Sequence, residues 1–160
     1  MKIFVSVGTH SQQFNRLLME IDSLLESKKI SAEAFAQTGN SDYAPKNCAF
    51  KKFLAEKEFE EKISWADVVV SHGGAGTIIS ALRKNKKLVI VPRLKKFGEH
   101  TNDHQLDLAE ALAGQGKALA ALETKELGKR ILETKKFSPK IASNRQGLVD
   151  EIKKFLEKSG

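Results

Sequence analysis

The residues best suited to chemistry lie in one stretch, Ser71-His72-Gly73-Gly74-Ala75-Gly76-Thr77. The apolar strand pattern Val68-Val69-Val70 runs into it, and a helical pattern follows. Such a turn leaves backbone N–H groups unpaired at a helix N-terminus, where the helix dipole is positive, and glycine lets the backbone approach an anion closely. His72 and Thr77 offer side-chain donors to the same anion. The segment therefore predicts a nucleotide-phosphate site and leaves the reaction open.

A second glycine turn follows the first strand pattern, at Gly8-Thr9-His10-Ser11. One interpretation is a further anion-binding turn, with its N–H groups directed at a pyrophosphate. The alternative is an ordinary strand-to-helix turn, with Ser11 or Thr9 as the helix N-cap. The full G-x-G-x-x-G spacing is missing, and no acidic residue ends the second strand pattern. Both omissions argue against a dinucleotide-binding fold.

A third polar segment, Lys95 to Gln105, is dense in side chains that form hydrogen bonds. Planar Asp, Glu, His and Gln groups suit the vicinal hydroxyls of a sugar. Asn102 and Gln105 also have the spacing of a helix capping box, which needs no ligand. That alternative leaves Glu99, His100 and His104 unexplained. The spacing of these residues matches no zinc or magnesium motif, so no metal site is predicted.

Strand-like and helix-like segments alternate along the chain and must position these three loops. The predicted strands are 2–7, 32–37, about 47–53, 68–70, 88–91 and 117–121, and helical spacing follows at 14–25, 59–65, 78–82, 102–114, 125–134 and 145–157. Several strands lack in/out alternation, which predicts a parallel sheet covered on both faces. The predicted fold is α/β, a Rossmann-like doubly wound sheet, in which ligands bind beyond the carboxyl ends of the strands. All three loops are expected on that rim.

Composition limits the classes of function. The 160 residues predict a single domain, 1–160, and the net charge of +7 comes from lysines spread along the chain. No nucleic-acid-binding signature accompanies them, and one Tyr and one Trp do not form a base-stacking platform, so no nucleic acid is predicted as a partner. A solvated lysine-rich surface explains the charge, and anionic lipids or acidic partner proteins are the alternatives.

The location of the protein follows from what the sequence lacks. The N-terminus shows no signal-peptide pattern, and no apolar run approaches the ~20 residues of a membrane-spanning helix. A cytoplasmic protein is therefore expected. The single cysteine, Cys48, excludes an internal disulfide and a cysteine-based zinc site, and its simplest interpretation is a half-buried strand residue.

These motifs together carry a family likeness. The runs Val70 to Thr77, Ile90-Val91-Pro92-Arg93 and Gly98 to Gln105, preceded by Val5 to Thr9, resemble the C-terminal half of glycosyltransferase family 28. More narrowly, the chain resembles small donor-binding subunits of two-part glycosyltransferases. Some of these build capsular or exopolysaccharide repeat units, and one adds the second N-acetylglucosamine to dolichol-linked chitobiose. The resemblance implies the C-terminal half of a GT-B fold, a uridine diphosphate (UDP) sugar as donor substrate and no cofactor.

The resemblance also implies roles for residues. The diphosphate would be held by His72, Gly73, Gly74, Gly76 and Thr77, assisted by Gly8 and Thr9. The donor sugar would be contacted by Asn102, His104 and Gln105. Glu99 and His100 would lie near the reacting centre or the partner interface. Many relatives have a carboxylate that binds the ribose hydroxyls where this chain has Ser80.

The predicted activity is inverting glycosyl transfer to a lipid-linked acceptor. One lobe is present, whereas transfer in this fold uses a cleft between two. The acceptor site and membrane anchor would thus belong to a partner subunit that recruits this chain to the inner face of the membrane. The base that deprotonates the acceptor would be His10, Glu99 or His100, or a group of the partner. The alternative is a non-catalytic nucleotide-sugar-binding or regulatory module. A hexosamine-nucleotide epimerase is excluded because it needs both lobes in one chain.

Overall fold

A parallel sheet with the strand order β3-β2-β1-β4-β5-β6 forms the centre of the computed structural model, which describes residues 1–141 and 145–158. Its strands are β1 (Lys2–Ser6), β2 (Glu33–Gln37), β3 (Ala49–Lys51), β4 (Val68–Ser71), β5 (Lys87–Ile90) and β6 (Leu119–Ala120). Within the described residues, each pair of neighbouring strands is parallel. The predicted doubly wound parallel sheet is therefore confirmed, with β3 and β6 shorter than the sequence pattern indicated.

Helices cover both faces of this sheet. They are α1 (Asn15–Glu26), α2 (Glu56–Trp65), α3 (Ala75–Arg83), α4 (His104–Gly114), α5 (Leu127–Glu133) and α6 (Arg145–Lys158), with 3-10 turns at Lys95–Phe97, Thr124–Glu126 and Thr134–Lys136. Ile3 and Val5 pack on one face with α1 and α5, whereas Phe4 packs on the other face with α2, α3, α4 and α6. Burial on both faces explains the unbroken apolar runs in the central strands.

The apolar stripe of α6 packs within the molecule. Leu148, Val149 and Ile152 are almost fully buried, and Leu148 and Ile152 join the core on the α3 and α4 face. Toward the end of the helix, Leu156 is 39% exposed. Most of this stripe therefore belongs to the core.

Two alternative interpretations of helix capping are wrong. Helix α1 begins at Asn15 with Phe14 as N-cap, and the Phe14 N–H donates to the Ser41 hydroxyl (3.0 Å), so neither Thr9 nor Ser11 caps it. Tertiary contacts hold the preceding loop in an irregular path instead.

The capping box predicted for α4 does not form either. Asp103 is the N-cap, and Asn102 Oδ1 accepts a hydrogen bond from the His104 N–H at 3.1 Å. Gln105 Oε1 instead accepts from the Arg93 N–H, which belongs to the loop after β5 (3.1 Å). The amide of Gln105 therefore joins the start of α4 to the loop after β5 rather than closing its own helix end.

Asp22 fixes the loop that leads into β3. This α1 residue is 3% exposed and accepts hydrogen bonds from Tyr43 Oη (2.6 Å) and from the backbone N–H groups of Lys46 (3.0 Å) and Asn47 (2.7 Å). Burial raises the pKa of Asp22, but the hydrogen bonds from Tyr43, Lys46 and Asn47 outweigh it and lower the pKa overall. The ionised carboxylate is thus the form that this loop requires.

Asp22→Asn should lower the free energy of unfolding by about 1–3 kcal/mol, because an amide NH2 group would face donors that now meet a carboxylate oxygen. Urea denaturation measures the effect. Asp42→Asn makes the same change at an exposed position and should be neutral. Equal stability of the two variants would contradict the role of Asp22.

Candidate functional site

The guanidinium of Arg93 lies where the predicted site loops meet. Arg93 is fully buried, and it donates to the carbonyl oxygens of Val7 (Nη2–O, 2.6 Å), Gln12 (Nη1–O, 2.8 Å) and Glu99 (Nη1–O, 3.0 Å). Burial lowers its pKa to about 10, so the group stays charged at neutral pH. One cation therefore fastens the loop after β1 to the loop after β5, at the carboxyl edge of the sheet.

Glu99 is held in an ion pair beneath this rim. Its side chain is 1% exposed, and its two oxygens accept from Arg16 Nε and Nη2, each at 2.9 Å. The Leu94 N–H also donates to Glu99 Oε2 (3.0 Å). A carboxylate that is buried and paired in this way lacks access to an acceptor hydroxyl. Its surroundings argue against the base role expected from the sequence and fit a positioning role.

His72 is a neutral residue in the ligand-free protein. Its Nδ1 lies 3.1 Å from the Ser6 carbonyl oxygen, which only accepts, so Nδ1 carries the hydrogen and the neutral ring has its lone pair on Nε2. Burial, with a contribution from the Arg93 cation, lowers the pKa of His72 to about 4. The ring is thus not the ready side-chain donor to phosphate that the sequence suggested.

The same ring explains two glycines of the site. A Cβ at Gly8 or at Gly74 would overlap the His72 imidazole. Gly8 also has a positive φ of 78°, and Gly73 one of 93°, whereas Gly74 has an ordinary backbone with φ of −75°. His72 therefore packs between the two glycine turns and sets the distance between them.

His10 and His100 lie face to face on the rim. Their ring centroids are 4.6 Å apart with an interplanar angle of 30°. His10 Nδ1 accepts from the Gln12 N–H (3.2 Å), and His100 Nδ1 accepts from the Asn102 N–H (3.3 Å). Burial, followed by the proximity of His10 and Arg93, lowers the pKa of His100. Because Nδ1 accepts in each ring, Nε2 carries the hydrogen, so both rings present donors rather than a basic lone pair.

The sugar-binding candidates lie at the start of α4. The Gln105 side chain lies against Gly73, whose Cβ, if present, would be 3.0 Å from Gln105 Cβ. His104 is 42% exposed, with Nδ1 4.0 Å from an Asp107 oxygen. Asn102 supports the His104 backbone as described above. The structure thus brings Gln105 to the glycine turn and leaves His104 facing outward.

The N-terminus of α3 opens into a cavity of about 500 Å³. Gly76 has no heavy atom within 4 Å of the place where a Cβ would stand, and Thr77 Oγ1 lies 3.5 Å from Ser6 Oγ at the base of the turn. The backbone N–H groups of the first turn of α3 have no partner within the helix. This wall of the cavity suits an anionic group.

The cavity is also lined by residues that the sequence did not single out. Gln37 ends β2, whereas Phe59 and Glu60 lie on α2, and all three line the cavity. They come from elements far from the glycine turns along the chain, so no local spacing marks them. A larger cavity of about 740 Å³ between α1 and α5 is lined by none of the predicted site residues.

Within residues 1–141 and 145–158, no three His, Cys, Asp or Glu side chains are arranged to hold a metal ion. No helix in this part of the chain combines the length and apolar character needed to cross a membrane.

The parallel sheet, with glycine turns and an open helix N-terminus at its carboxyl edge, defines a Rossmann-like α/β domain. Residues 2–158 match the family model described as the glycosyltransferase family 28 C-terminal domain. The chain therefore belongs to this family, as its motifs indicated.

The chain is similar to proteins that carry the same domain. It is 32% identical over 123 residues to the human UDP-N-acetylglucosamine transferase subunit ALG13. The aligned region covers 71% of this chain and 10% of the human protein. The match to the crystal structure of the glycotransferase of kitacinnamycin covers 96% of this chain and 39% of that chain, with a TM-score of 0.65 and 22% identity. The solution structure of ALG13 matches 91% of both chains, with a TM-score of 0.58 and 16% identity. The fold is thus that of the C-terminal lobe of GT-B glycosyltransferases, and the chain spans only a tenth of the human relative.

Gly74→Ala should lower the free energy of unfolding by about 1–3 kcal/mol, because the added methyl group would meet the His72 ring. In a His72→Ala background the same change should cost clearly less, since the ring is gone. Urea denaturation of the four proteins gives the coupling. If Gly74→Ala has the same effect in both backgrounds, the packing account is wrong.

The neutral state of His72 predicts a pH dependence of stability. Folding lowers the pKa from the ordinary 6.5 to about 4, so the unfolded chain takes up a proton first as the pH falls. The stability due to the neutral ring is complete above about pH 6.5 and is lost toward pH 4, by about 3 kcal/mol. His72→Asn keeps a donor for the Ser6 carbonyl but cannot titrate.

Unfolding free energies of both proteins should therefore be compared between pH 7 and pH 4. The wild-type protein should lose more stability than His72→Asn over this range. Parallel curves would show that His72 is not held neutral.

Proposed function

We propose that this chain binds a UDP-sugar at the carboxyl edge of its sheet and takes part in inverting transfer of the sugar to a lipid-linked acceptor. A membrane-associated partner subunit would hold that acceptor. The observation that carries the proposal is the open N-terminus of α3, next to a second glycine turn that the buried Arg93 holds in place. Family membership supports glycosyl transfer, and the human relative's name supports a UDP-sugar donor.

The diphosphate is the part of the donor that this geometry suits. As the anomeric bond breaks, the leaving diphosphate gains negative charge, and fixed N–H groups stabilise it most in the transition state. At the start of α3, the N–H groups of Gly74, Gly76 and Thr77 would bind the diphosphate, with Gly73 shaping the turn. Gly8 and Thr9 would contribute the N–H groups of the second glycine turn. His72 keeps both turns apart and becomes a donor only if a bound anion raises its pKa.

We assign the remaining site residues to contacts with either the diphosphate leaving group or the sugar. We assign the Nε2–H groups of His10 and His100 to the diphosphate or the sugar, because their Nδ1 atoms already accept backbone hydrogen bonds. The NH2 end of the Gln105 amide is our candidate for a sugar hydroxyl, together with His104 and Asn102. Since Glu99 is buried in an ion pair, we assign the general base to the partner subunit.

The partner is inferred from the fold and from the name of the human relative. A GT-B reaction uses a cleft between two lobes, and residues 2–158 match one of them. The human relative is named as a subunit. A second chain would supply the other lobe, the acceptor and the contact with the inner face of the membrane, and this chain would act from the cytoplasm.

A second candidate function is a nucleotide-sugar-binding module without catalytic groups of its own. The environments of Glu99, His10 and His100 favour it, because none of the three presents a free basic lone pair to the cavity. Substitutions at these positions distinguish the candidates. If the chain is only a binding module, each substitution should reduce turnover of the assembled enzyme by no more than its effect on donor binding explains.

Gly76→Ala should weaken UDP-sugar binding at least tenfold without lowering the melting temperature, because its methyl group would project into the open space at the α3 N-terminus. Titration calorimetry with a panel of UDP-sugars and guanosine diphosphate sugars measures the dissociation constants. Gly114→Ala, in equally open surroundings at the end of α4, is the matched control and should bind like the wild type. Absence of wild-type binding to every compound would refute the proposed donor site.

A further inference from the structure

A carboxylate lines the cavity into which the N-terminus of α3 opens. Glu60 of α2 lines this cavity together with Ser80 of α3. The Ser80 hydroxyl donates to Glu60 Oε1 (2.6 Å), and Lys84 Nζ lies 2.7 Å from Glu60 Oε2. The Glu60 side chain keeps 38% of its surface exposed. The carboxylate is therefore fixed on one side and open on the other.

The charge state of this group suits an acceptor of hydrogen bonds. Hydrogen bonds from Lys84 and then Ser80 lower the pKa of Glu60, so the group is ionised at neutral pH. An ionised carboxylate offers about four acceptor positions on its two oxygens. The contacts from Ser80 and Lys84 occupy one position on each oxygen. One position on each is left for a pair of hydroxyl donors.

The distance from the phosphate site matches a nucleotide. Ser80 follows Thr77 by three residues in α3, so their side chains lie on neighbouring turns of one helix face, about 5–6 Å apart at Cβ. In a nucleoside diphosphate the ribose is joined directly to the phosphate that this helix end would bind. The ribose hydroxyls then fall beside Glu60. A carboxylate on these hydroxyls is a general solution in nucleotide-binding α/β folds.

Gln37 provides a second, independent sign of a ligand in this cavity. Its side chain is 3% exposed, and among the described residues its Oε1 atom has no hydrogen-bond partner. A buried acceptor without a partner destabilises the folded protein, so such an atom calls for an explanation. Phe59 lines the same cavity. An unpaired acceptor beside an aromatic ring suits the base and ribose of a nucleotide.

We propose that Glu60 is the ribose-binding residue of this chain, accepting hydrogen bonds from the 2′- and 3′-hydroxyls, and that Ser80 and Lys84 position it. The carboxylate would thus come from α2, and the Ser80 hydroxyl of the neighbouring helix α3 would hold it in place. This inference rests on the proposed function and adds to it the part of the site that selects a ribonucleotide.

The test compares UDP with 2′,3′-dideoxy-UDP by titration calorimetry. The wild-type protein should bind UDP at least tenfold more tightly than the dideoxy compound. Glu60→Gln should lose most of that preference by weakening UDP binding, while its affinity for dideoxy-UDP stays unchanged. Ser80→Ala should show the same pattern more weakly. Glu56→Gln, the same change at an exposed position lining the same cavity, should keep the preference.

Each outcome decides between the two proposals. If the wild type binds both compounds equally, or Glu60→Gln keeps the preference, the ribose assignment is refuted while UDP binding and the proposed function stand. A merely structural role of Glu60 would weaken both compounds by the same factor, which also refutes the assignment. If the wild type binds neither compound, the proposed function fails and this inference fails with it.

Discussion

The buried guanidinium of Arg93 is the interaction on which the geometry of the site depends. Burying a cation costs several kcal/mol unless hydrogen bonds replace its hydration. Here the replacement comes from backbone carbonyls of loops that follow two different strands, including those of Val7 and Glu99. The guanidinium carbon also lies 5.1 Å from the centre of the Phe14 ring. Because these hydrogen bonds connect one buried cation to the carbonyls of both loops, they fix the loops relative to one another in the ligand-free protein.

The electrostatics of the rim follow from this buried charge. Arg93 contributes to lowering the pKa of both His72 and His100, with burial as the larger cause. Neutral imidazoles therefore line a site whose fixed positive character comes from a cation below it and a helix N-terminus beside it. Fixed dipoles of this kind need no reorganisation when charge develops on a leaving group. Glu99 belongs to the same framework, since its ion pair with Arg16 secures the loop that Arg93 also holds.

The fold and the central turn could be predicted from the sequence, whereas the contacts between loops could not. Val68 to Val70 lack alternation because both faces of β4 are buried, and that pattern correctly predicted a parallel sheet. The glycine turn after β4 lies at the carboxyl edge because every parallel strand ends there. In contrast, the start of α1 and the environment of Glu99 depend on partners far along the chain. Glu60 reaches the cavity only through helix packing, so no spacing in the sequence marks it. The roles of individual site residues stay predictions.

The central claim is that a diphosphate binds at the N-terminus of α3, beside the two glycine turns. The most direct measurement is a ¹H–¹⁵N correlation titration of the labelled protein with UDP. The account predicts saturable shifts concentrated at the amides of Gly8, Thr9 and residues 73–77, with the α5 and α6 amides unmoved. Saturable shifts centred on the cavity between α1 and α5, or no shifts at millimolar UDP, would contradict it.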